Sequence, residues 1–382
     1  MRLAFDATSL LGPRTGVGVV ATELLRRIGQ RDDLDVTAFG LTWKGRSRLD
    51  AEVPLGVGVS HRPMAARPLR FAWTHTNRPP IEWWTGSIDV VHGPNFVVPP
   101  SRRARQLVTV HDLTCMRFPE LCTPDTLAYP QLIGRAITRG ATIHVVSHFV
   151  ADEVQELFGL SQDRIVVVPN GVNPPSPNLS DVEQEQIIAR GRQLAGGHRF
   201  VLGLGTIEPR KDFPLLVQAF TALAANDADV RLVIAGPPGW GADALANEIE
   251  ASPFRARIVT LGWIPDHDRT ALLSAATVFA FPSKYEGFGL PPLEAMSMGT
   301  PVVSSKAGAL PEVIADGGLL VAVGDVDALA SAIDSVLANE ILANQLRQRG
   351  FARAATYDWD TSADALVAVY HGLAGAQSEQ HG

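Results

Sequence analysis

This 382-residue chain lacks an excess of positive charge: its formal net charge is −7, and lysine occurs only at positions 44, 211, 284 and 306. The broad basic face used in general nucleic-acid binding is therefore not expected. Cysteine is nearly absent. Cys115 and Cys122 show no Cys-x-x-Cys spacing and no His pair beside them, so neither a zinc site nor a redox motif is expected. A reduced, cytoplasmic protein is the simplest expectation. No apolar run approaches the roughly 20 residues of a membrane span. The first residues, Met1 to Asp6, lead into a strand rather than into the apolar centre of a signal peptide. Any membrane contact is expected to be peripheral.

The hydrophobic fraction of 46% with 19% charged residues is that of a globular protein, and the length suits two domains of roughly 150–200 residues. Short apolar runs alternate with amphipathic stretches, and the pattern occurs twice. Runs at 3–7, 36–39, 90–92, 107–110, 143–146 and 165–168 predict strands in the first half. Runs at 200–203, 230–235, 258–261, 278–281, 302–304 and 319–321 predict them in the second. Continuous apolar strands separated by helices imply parallel sheets covered on both faces. The proline-rich stretch 173–178 is the best linker. The expected architecture is α/β, with two Rossmann-like, doubly wound domains facing a cleft, at 1–178 and 179–364. Ligands of such sheets collect at the carboxyl ends of the strands, so loops that directly follow strands are where chemistry is sought.

Four such loops stand out. Leu11-Gly12-Pro13-Arg14-Thr15-Gly16-Val17-Gly18 opens a helical run after the first strand, a place where free N–H groups can meet a phosphate. Its spacing is not the full dinucleotide fingerprint, and a plain strand-to-helix turn reads equally well. His111-Asp112 ends another strand, where an imidazole can meet a substrate hydroxyl or be a satisfied surface His. His144 lies inside a strand and reads as core. Gly205-Thr206-Ile207-Glu208-Pro209-Arg210-Lys211 puts two adjacent cations at the mouth of the second sheet, suited to a diphosphate. Finally, Glu286-Gly287-Phe288-Gly289-Leu290-Pro291-Pro292-Leu293-Glu294 places carboxylates on either side of a helix start, with proline tolerated in its first turn. Two carboxylates can serve a hydrolase as acid and base. An anion-binding turn between them suits a charged leaving group better.

Taken together these motifs resemble the GT-B-fold retaining glycosyltransferases of family four, over essentially the whole chain. The resemblance rests on Gly16 to Gly18, His111-Asp112, Val146-Ser147, Val168-Pro169-Asn170-Gly171-Val172, Gly205-Thr206 with Arg210-Lys211, and the Glu-x7-Glu pair Glu286 and Glu294. It implies that Arg210 and Lys211 hold the donor diphosphate, that Glu286 contacts the donor sugar and that Glu294 binds the ribose. It also implies that Phe288, Gly289 and Leu290 offer backbone groups to sugar or phosphate, that His111 lies near the reacting face, and that a last helix from about 365 to 382 returns to the first domain. Gly16, Gly18, Ser147, Gly205 and Thr206 become donor-side residues, and Ile264 in Gly262-Trp263-Ile264-Pro265 sits at the nucleobase edge. The implied reaction retains anomeric configuration, uses a nucleotide sugar (GDP- or UDP-linked) with no cofactor, and needs no metal. A hexose, with mannose weakly preferred, would pass to a glycan or lipid-linked acceptor in cell-envelope or polysaccharide synthesis.

Three Asp-x-Asp spellings, at 266–268, 325–327 and 358–360, stand at helix starts and are expected to cap them rather than to hold a metal. Residues 61–84 mix Arg62, Arg67, Arg70 and Arg78 with Trp73, Trp83 and Trp84. That mixture suits peripheral contact with the inner face of the plasma membrane, or an irregular loop whose tryptophans pack under the sheet. The competing functions are a silent nucleotide-sugar-binding or scaffold protein and a GT-B-fold sugar-nucleotide epimerase. A phosphorylase would need a longer chain with a pyridoxal-phosphate lysine.

Overall fold

The structure, a computed structural model, describes residues 1–12, 15–43, 45–175, 179–197 and 199–379. Pro13 and Arg14 of the glycine segment and Ser176 to Asn178 of the linker lie outside the described residues. The chain divides into an N-terminal domain, residues 1–171 with 358 onward, and a C-terminal domain, residues 172–357. The crossings thus fall at 171/172 and 357/358 rather than at 178/179 and 364/365. Backbone packing explains the shift. Val172 N–H donates to the Tyr357 carbonyl at 3.0 Å, and a Cβ on Gly171 would come within 2.3 Å of the Trp359 nitrogen, so only glycine fits there.

The N-terminal sheet is built from β1 (Arg2–Asp6), β2 (Asp35–Phe39), β3 (Gly58–Val59), β4 (Val90–Gly93), β5 (Arg105–Val110), β6 (Thr142–Val145) and β7 (Ile165–Val167), in the order 3-2-1-4-5-6-7. Every pairing is parallel. Its apolar side chains, among them Ala4, Val91, Val108, Val110, Ile143 and Val145, are almost completely buried, which is why these runs carry no polar alternation. The helix Trp359–Glu379 lies against this domain, burying Trp359, Leu366 and Tyr370, with Arg31 paired to Asp364 at 2.5 Å and His371 to Asp33 at 2.8 Å.

Beneath that helix runs a buried polar chain. His144 Nε2 donates to the Val168 carbonyl at 3.0 Å, so its Nδ1 must accept, and the Thr109 hydroxyl donates to it at 2.8 Å. The Thr109 oxygen then accepts from His92 Nε2–H at 2.8 Å, and His92 Nδ1 accepts from the Tyr370 hydroxyl at 2.7 Å. One consistent set of proton positions satisfies every member with both imidazoles neutral. Burial holds His92 well below its ordinary range and His144 down at about 4.

The C-terminal sheet contains β8 (Arg199–Leu204), β9 (Val230–Ala235), β10 (Ile258–Gly262), β11 (Val278–Phe281), β12 (Val302–Ser305) and β13 (Gly318–Val321), all parallel, in the order 10-9-8-11-12-13. The order reverses between β8 and β11, so the loops leaving these two strands flank the switch point at which doubly wound sheets bind ligands. Helices that lack a strong apolar signal at their ends are fixed by caps. Asp325 accepts from Ala328 N–H at 2.9 Å to start Val326–Ala338, and Asn339 accepts from Leu342 N–H at 3.1 Å to start Glu340–Ala354.

Two expectations need correction. Asp325 and Asp358 cap as expected, the latter accepting from Thr361 N–H at 2.8 Å. Asp266, however, is the first residue of the helix Asp266–Ala275, Pro265 occupies the cap position, and no side chain caps it. Asp268 instead takes both arms of Arg190, at 2.8 and 3.1 Å, because the helix Asp181–Leu194 packs closely here around Gly191. Segment 61–84 is not an irregular loop either: it forms the helices Ala66–His75 and Glu82–Thr85. Trp73 is fully buried and donates to the Pro79 carbonyl at 3.1 Å, Trp84 donates to Pro63 at 3.0 Å, and Trp83 is half exposed.

Candidate active site

The loop after β8 needs a backbone that most residues refuse. Gly205 has φ 151°, and a Cβ on Gly236 would lie 1.9 Å from the Gly205 carbonyl oxygen, so the two strand ends meet only as glycines. Past Thr206 the chain makes a tight turn, Pro209–Lys211, and Asp212 follows at φ 51°. This turn aims Arg210 and Lys211 at the loop leaving β11. Lys211 Nζ lies 2.6 Å from Glu286 Oε1 and 4.6 Å from the centre of the Phe281 ring. Arg210 Nη1 reaches Glu286 Oε2 and the Tyr285 carbonyl, each at 2.7 Å, while Nη2 reaches Glu208 Oε1 at 2.7 Å. Lys284 N–H donates to the Arg210 carbonyl at 2.8 Å, and its ammonium pairs with Asp212 at 3.3 Å.

Glu286 and Lys211 are buried, with side-chain exposures of 8% and 10%, and Arg210 is largely covered at 16%. Burial alone would push the Glu286 carboxyl up. Arg210 and Lys211 outweigh it and hold the group at about 2, so Glu286 is ionised throughout the physiological range. Burial pulls the Lys211 ammonium below its ordinary value. The backbone of Glu286 is fixed as firmly as its side chain. Its carbonyl accepts from Ala309 N–H at 2.8 Å, and Gly308, at φ 58°, approaches so closely that a Cβ would stand 2.1 Å from that oxygen.

Beyond Glu286 the chain turns at Gly289, φ 114°, into the helix Leu290–Ser297. Pro291 and Pro292 occupy its first turn and carry no N–H, so the donors at this end come from residues up to Leu290 and not from the turn itself. Phe288 is buried edge-on to Tyr357, at 5.6 Å between ring centroids. Glu294, one turn in, pairs with Arg269 from the neighbouring helix. Ile264 lies between β10 and that helix, with Trp263 beside it 59% exposed.

The remaining expected residues belong to the N-terminal domain. Gly16 and Gly18 are not a loop but the first turn of the helix Gly16–Ile28, where Thr15 caps and accepts from Gly18 N–H at 3.4 Å. Ser147 caps the helix His148–Phe158, accepting from Val150 N–H at 3.2 Å. His111 is buried and its Nε2 donates to the Pro94 carbonyl at 2.7 Å; burial lowers its pKa, so a neutral ring with Nδ1 as acceptor results. Among the described residues, no group of His, Cys, Asp and Glu could hold a metal ion, and no helix is long and apolar enough to cross a membrane.

The loop sequences do not reveal Glu208, Asp212, Lys284 and Arg269 as partners of the expected residues, because each pairing depends on which loops the sheet order brings together. A signal existed for the glycines alone: Gly236 and Gly308 each directly follow or neighbour a strand end.

Two doubly wound parallel-sheet domains are the components of the GT-B fold, and solved structures agree on that fold. The lipopolysaccharide glycosyltransferase WaaG superposes with a TM-score of 0.75 at 17% identity, over 97% of this chain and 100% of that one. Anabaena Alr3699/HepE, in complex with UDP and glucose, gives 0.73 at 19%, over 97% and 100%. Residues 184–353 match the glycosyl transferases group 1 family and residues 14–175 match Glycosyltransferase Family 4. O-antigen chain mannosyltransferase B of Escherichia coli is 30% identical over 97% of this chain and 99% of its own length. Phosphatidyl-myo-inositol mannosyltransferase of Mycobacterium leprae is 34% identical over 56% of this chain and 55% of its own. The chain belongs to the family 4 glycosyltransferases, with a group 1 domain in its C-terminal half.

Proposed function

We propose that this glycosyltransferase moves a mannosyl group from a GDP- or UDP-linked donor to a glycan or lipid-linked acceptor of the cell envelope, with retention and without a metal. The observation that carries the reading is the buried cluster of Arg210, Lys211 and Glu286 at the switch point of the second sheet. Mannosyl donors are preferred because the relatives named above are mannosyltransferases. The bond from the anomeric carbon to the diphosphate oxygen breaks, and one from the acceptor hydroxyl oxygen forms on the same face. The hydroxyl proton passes to the departing phosphate. Arg210 and Lys211 stabilise the charge that grows on the diphosphate, which is most effective in a site with little water. Glu286 meets the sugar hydroxyls and Glu294 the ribose. Backbone groups at Phe288, Gly289 and Leu290, with Gly205 and Thr206, surround the sugar and phosphates, and Ile264 borders the base.

His111, with its lone pair at Nδ1, is assigned to the sugar, and Gly16, Gly18 and Ser147 complete the donor-side set. The exposed Trp83 and the arginines of 61–84 support peripheral contact with the inner face of the membrane. A thermal-shift screen of nucleoside diphosphates and their sugars should single out one base, since binding to the folded state raises its stability. Transfer from that donor should fall ~10²–10³-fold in Lys211→Ala, the range for removing one preorganised charge. A protein that binds the nucleotide but turns over nothing would be a silent binder, and a product of inverted configuration would defeat the mechanism.

A further inference from the structure

We propose that a notch on the N-terminal domain binds the phosphate group of an acidic lipid headgroup. The notch has a volume of about 110 Å³ and is lined by Asn77, Arg78, Pro80, Trp83, Ser101 and Arg102. A cavity of about 150 Å³ takes one benzene ring, so this notch is on the scale of one small group such as a tetrahedral anion and not of a nucleotide sugar.

Its walls are fixed while its charges are not. Glu82 Oε1 accepts from the Ser101 hydroxyl at 2.6 Å and from the Arg102 and Arg103 N–H groups at 2.8 and 3.3 Å, which pins one wall. Asn77 Oδ1 accepts from Arg135 Nη2 at 3.0 Å, which leaves its amide N–H groups to donate elsewhere and brings a third guanidinium close. The guanidinium groups of Arg78 and Arg102 have no hydrogen bond or ion pair among the described residues. Elsewhere in this domain arginines such as Arg2, Arg27, Arg31 and Arg117 are each committed to a carboxylate. Two free planar forks on the lining of a small polar notch suit the oxygens of a phosphate. Trp83, 51% exposed on the rim, supplies the amphipathic ring that settles at a lipid–water boundary. A soluble phosphate would make the polar contacts only; a headgroup would use the tryptophan as well.

The inference deepens the membrane contact of the proposed function, on which it rests, and is tested apart from the donor site. Full-length protein is floated with vesicles of phosphatidylcholine alone or containing phosphatidylglycerol. Binding should require the anionic lipid and weaken roughly tenfold or more in Arg78→Gln/Arg102→Gln, from the loss of two surface charges. Arg48→Gln/Arg192→Gln removes the same charge elsewhere and should change binding less than about twofold on the same principle. Arg78→Lys/Arg102→Lys keeps the charge and loses the forks, so an intermediate, several-fold loss is expected. Equal binding by the lysine variant and wild type, or equal losses in the two glutamine variants, would overturn the site in favour of diffuse charge. Displacement by glycerol phosphate would identify the phosphate group alone as the ligand. Resistance to it, with dependence on Arg78 and Arg102 retained, would identify the headgroup at its surface. Nucleotide thermal shifts should be unchanged in all three variants, so failure here leaves the donor reading intact. These side chains are solvent-facing and unpaired, and an unchanged melting temperature will verify the fold.

Discussion

The two domains bury polar side chains against similar parallel sheets but use opposite chemistry. In the N-terminal domain the Tyr370–His92–Thr109–His144 chain is neutral, every proton has one place, and its carbonyl terminus accepts the last of them. In the C-terminal domain Glu208, Arg210, Lys211 and Glu286 are charged, and each cation faces a carboxylate. Replacing a buried ion pair by apolar residues is often neutral or stabilising, so this cluster is poor value as a fastener. It makes sense as the proposed donor site, in which the Glu286 carboxylate occupies the cations that an incoming anion would take. The neutral chain makes sense as a fastener: it ties the helix Trp359–Glu379 to strands β4, β5 and β6 without placing a charge in the core.

The sharpest way to break this contrast is Glu286→Gln. Transfer should fall ~10²–10³-fold, as for loss of one preorganised electrostatic partner. Nucleoside diphosphate affinity should not weaken, because both cations lose their competing carboxylate. The fold should also be less stable by about 3 kcal/mol, since one side of a buried pair is removed. Titration calorimetry with the nucleotide, beside a transfer assay, separates these effects. Diphosphate binding that collapses together with transfer would mean that Glu286 positions the cations rather than the sugar.

Acid should sharpen the contrast by attacking the domains in order. His92 and His144 have folded-state pKa values below the ordinary 6.5, so their stabilisation is complete above 6.5 and is lost as pH falls toward about 4 for His144. Glu286, held at about 2 against an ordinary 4.5, keeps its contribution until pH drops below 4.5. At pH 5.5 His144 should therefore withdraw about 1.4 kcal/mol, with His92 adding to the loss in the same direction, while the charged cluster is untouched. Hydrogen exchange corrected for intrinsic rates should show protection falling first in β4, β5 and β6. Earlier loss in β8 and β11 would reverse the assignment of roles.

The same contrast explains what could be read from the sequence. Strands β9 and β11 are found to the residue because a parallel strand covered on both faces is one unbroken apolar run. β3 is two residues long and leaves no such trace, and Ala66–His75 hides behind arginines and an early proline. Arg210, Lys211 and Glu286 are legible because they sit at strand ends, and His144 because it sits within a strand. Their mutual distances are not legible: 75 residues separate Glu286 from Lys211, and only the strand order 10-9-8-11 brings their loops together. For the same reason Asp268 reads as a helix cap in one dimension and proves to be the partner of Arg190 in three.

The most conservative change, the loss of one hydroxyl, tests the neutral chain most cleanly. In Tyr370→Phe the ring still fills its fully buried place, and only the hydroxyl that donates to His92 Nδ1 is lost. The acceptor is then buried without a partner, which costs about 1–3 kcal/mol and lowers the melting temperature. Nucleotide affinity should be unchanged, because no charged group of the donor cluster is altered. Protonation would only turn His92 Nδ1 from an unmatched acceptor into an unmatched, charged donor, and no carboxylate is among its hydrogen-bond partners to hold that charge. A Tyr370→Phe protein as stable as wild type at pH 7 would show that the helix is held by apolar burial alone, and that the polar chain beneath it fixes geometry without adding stability.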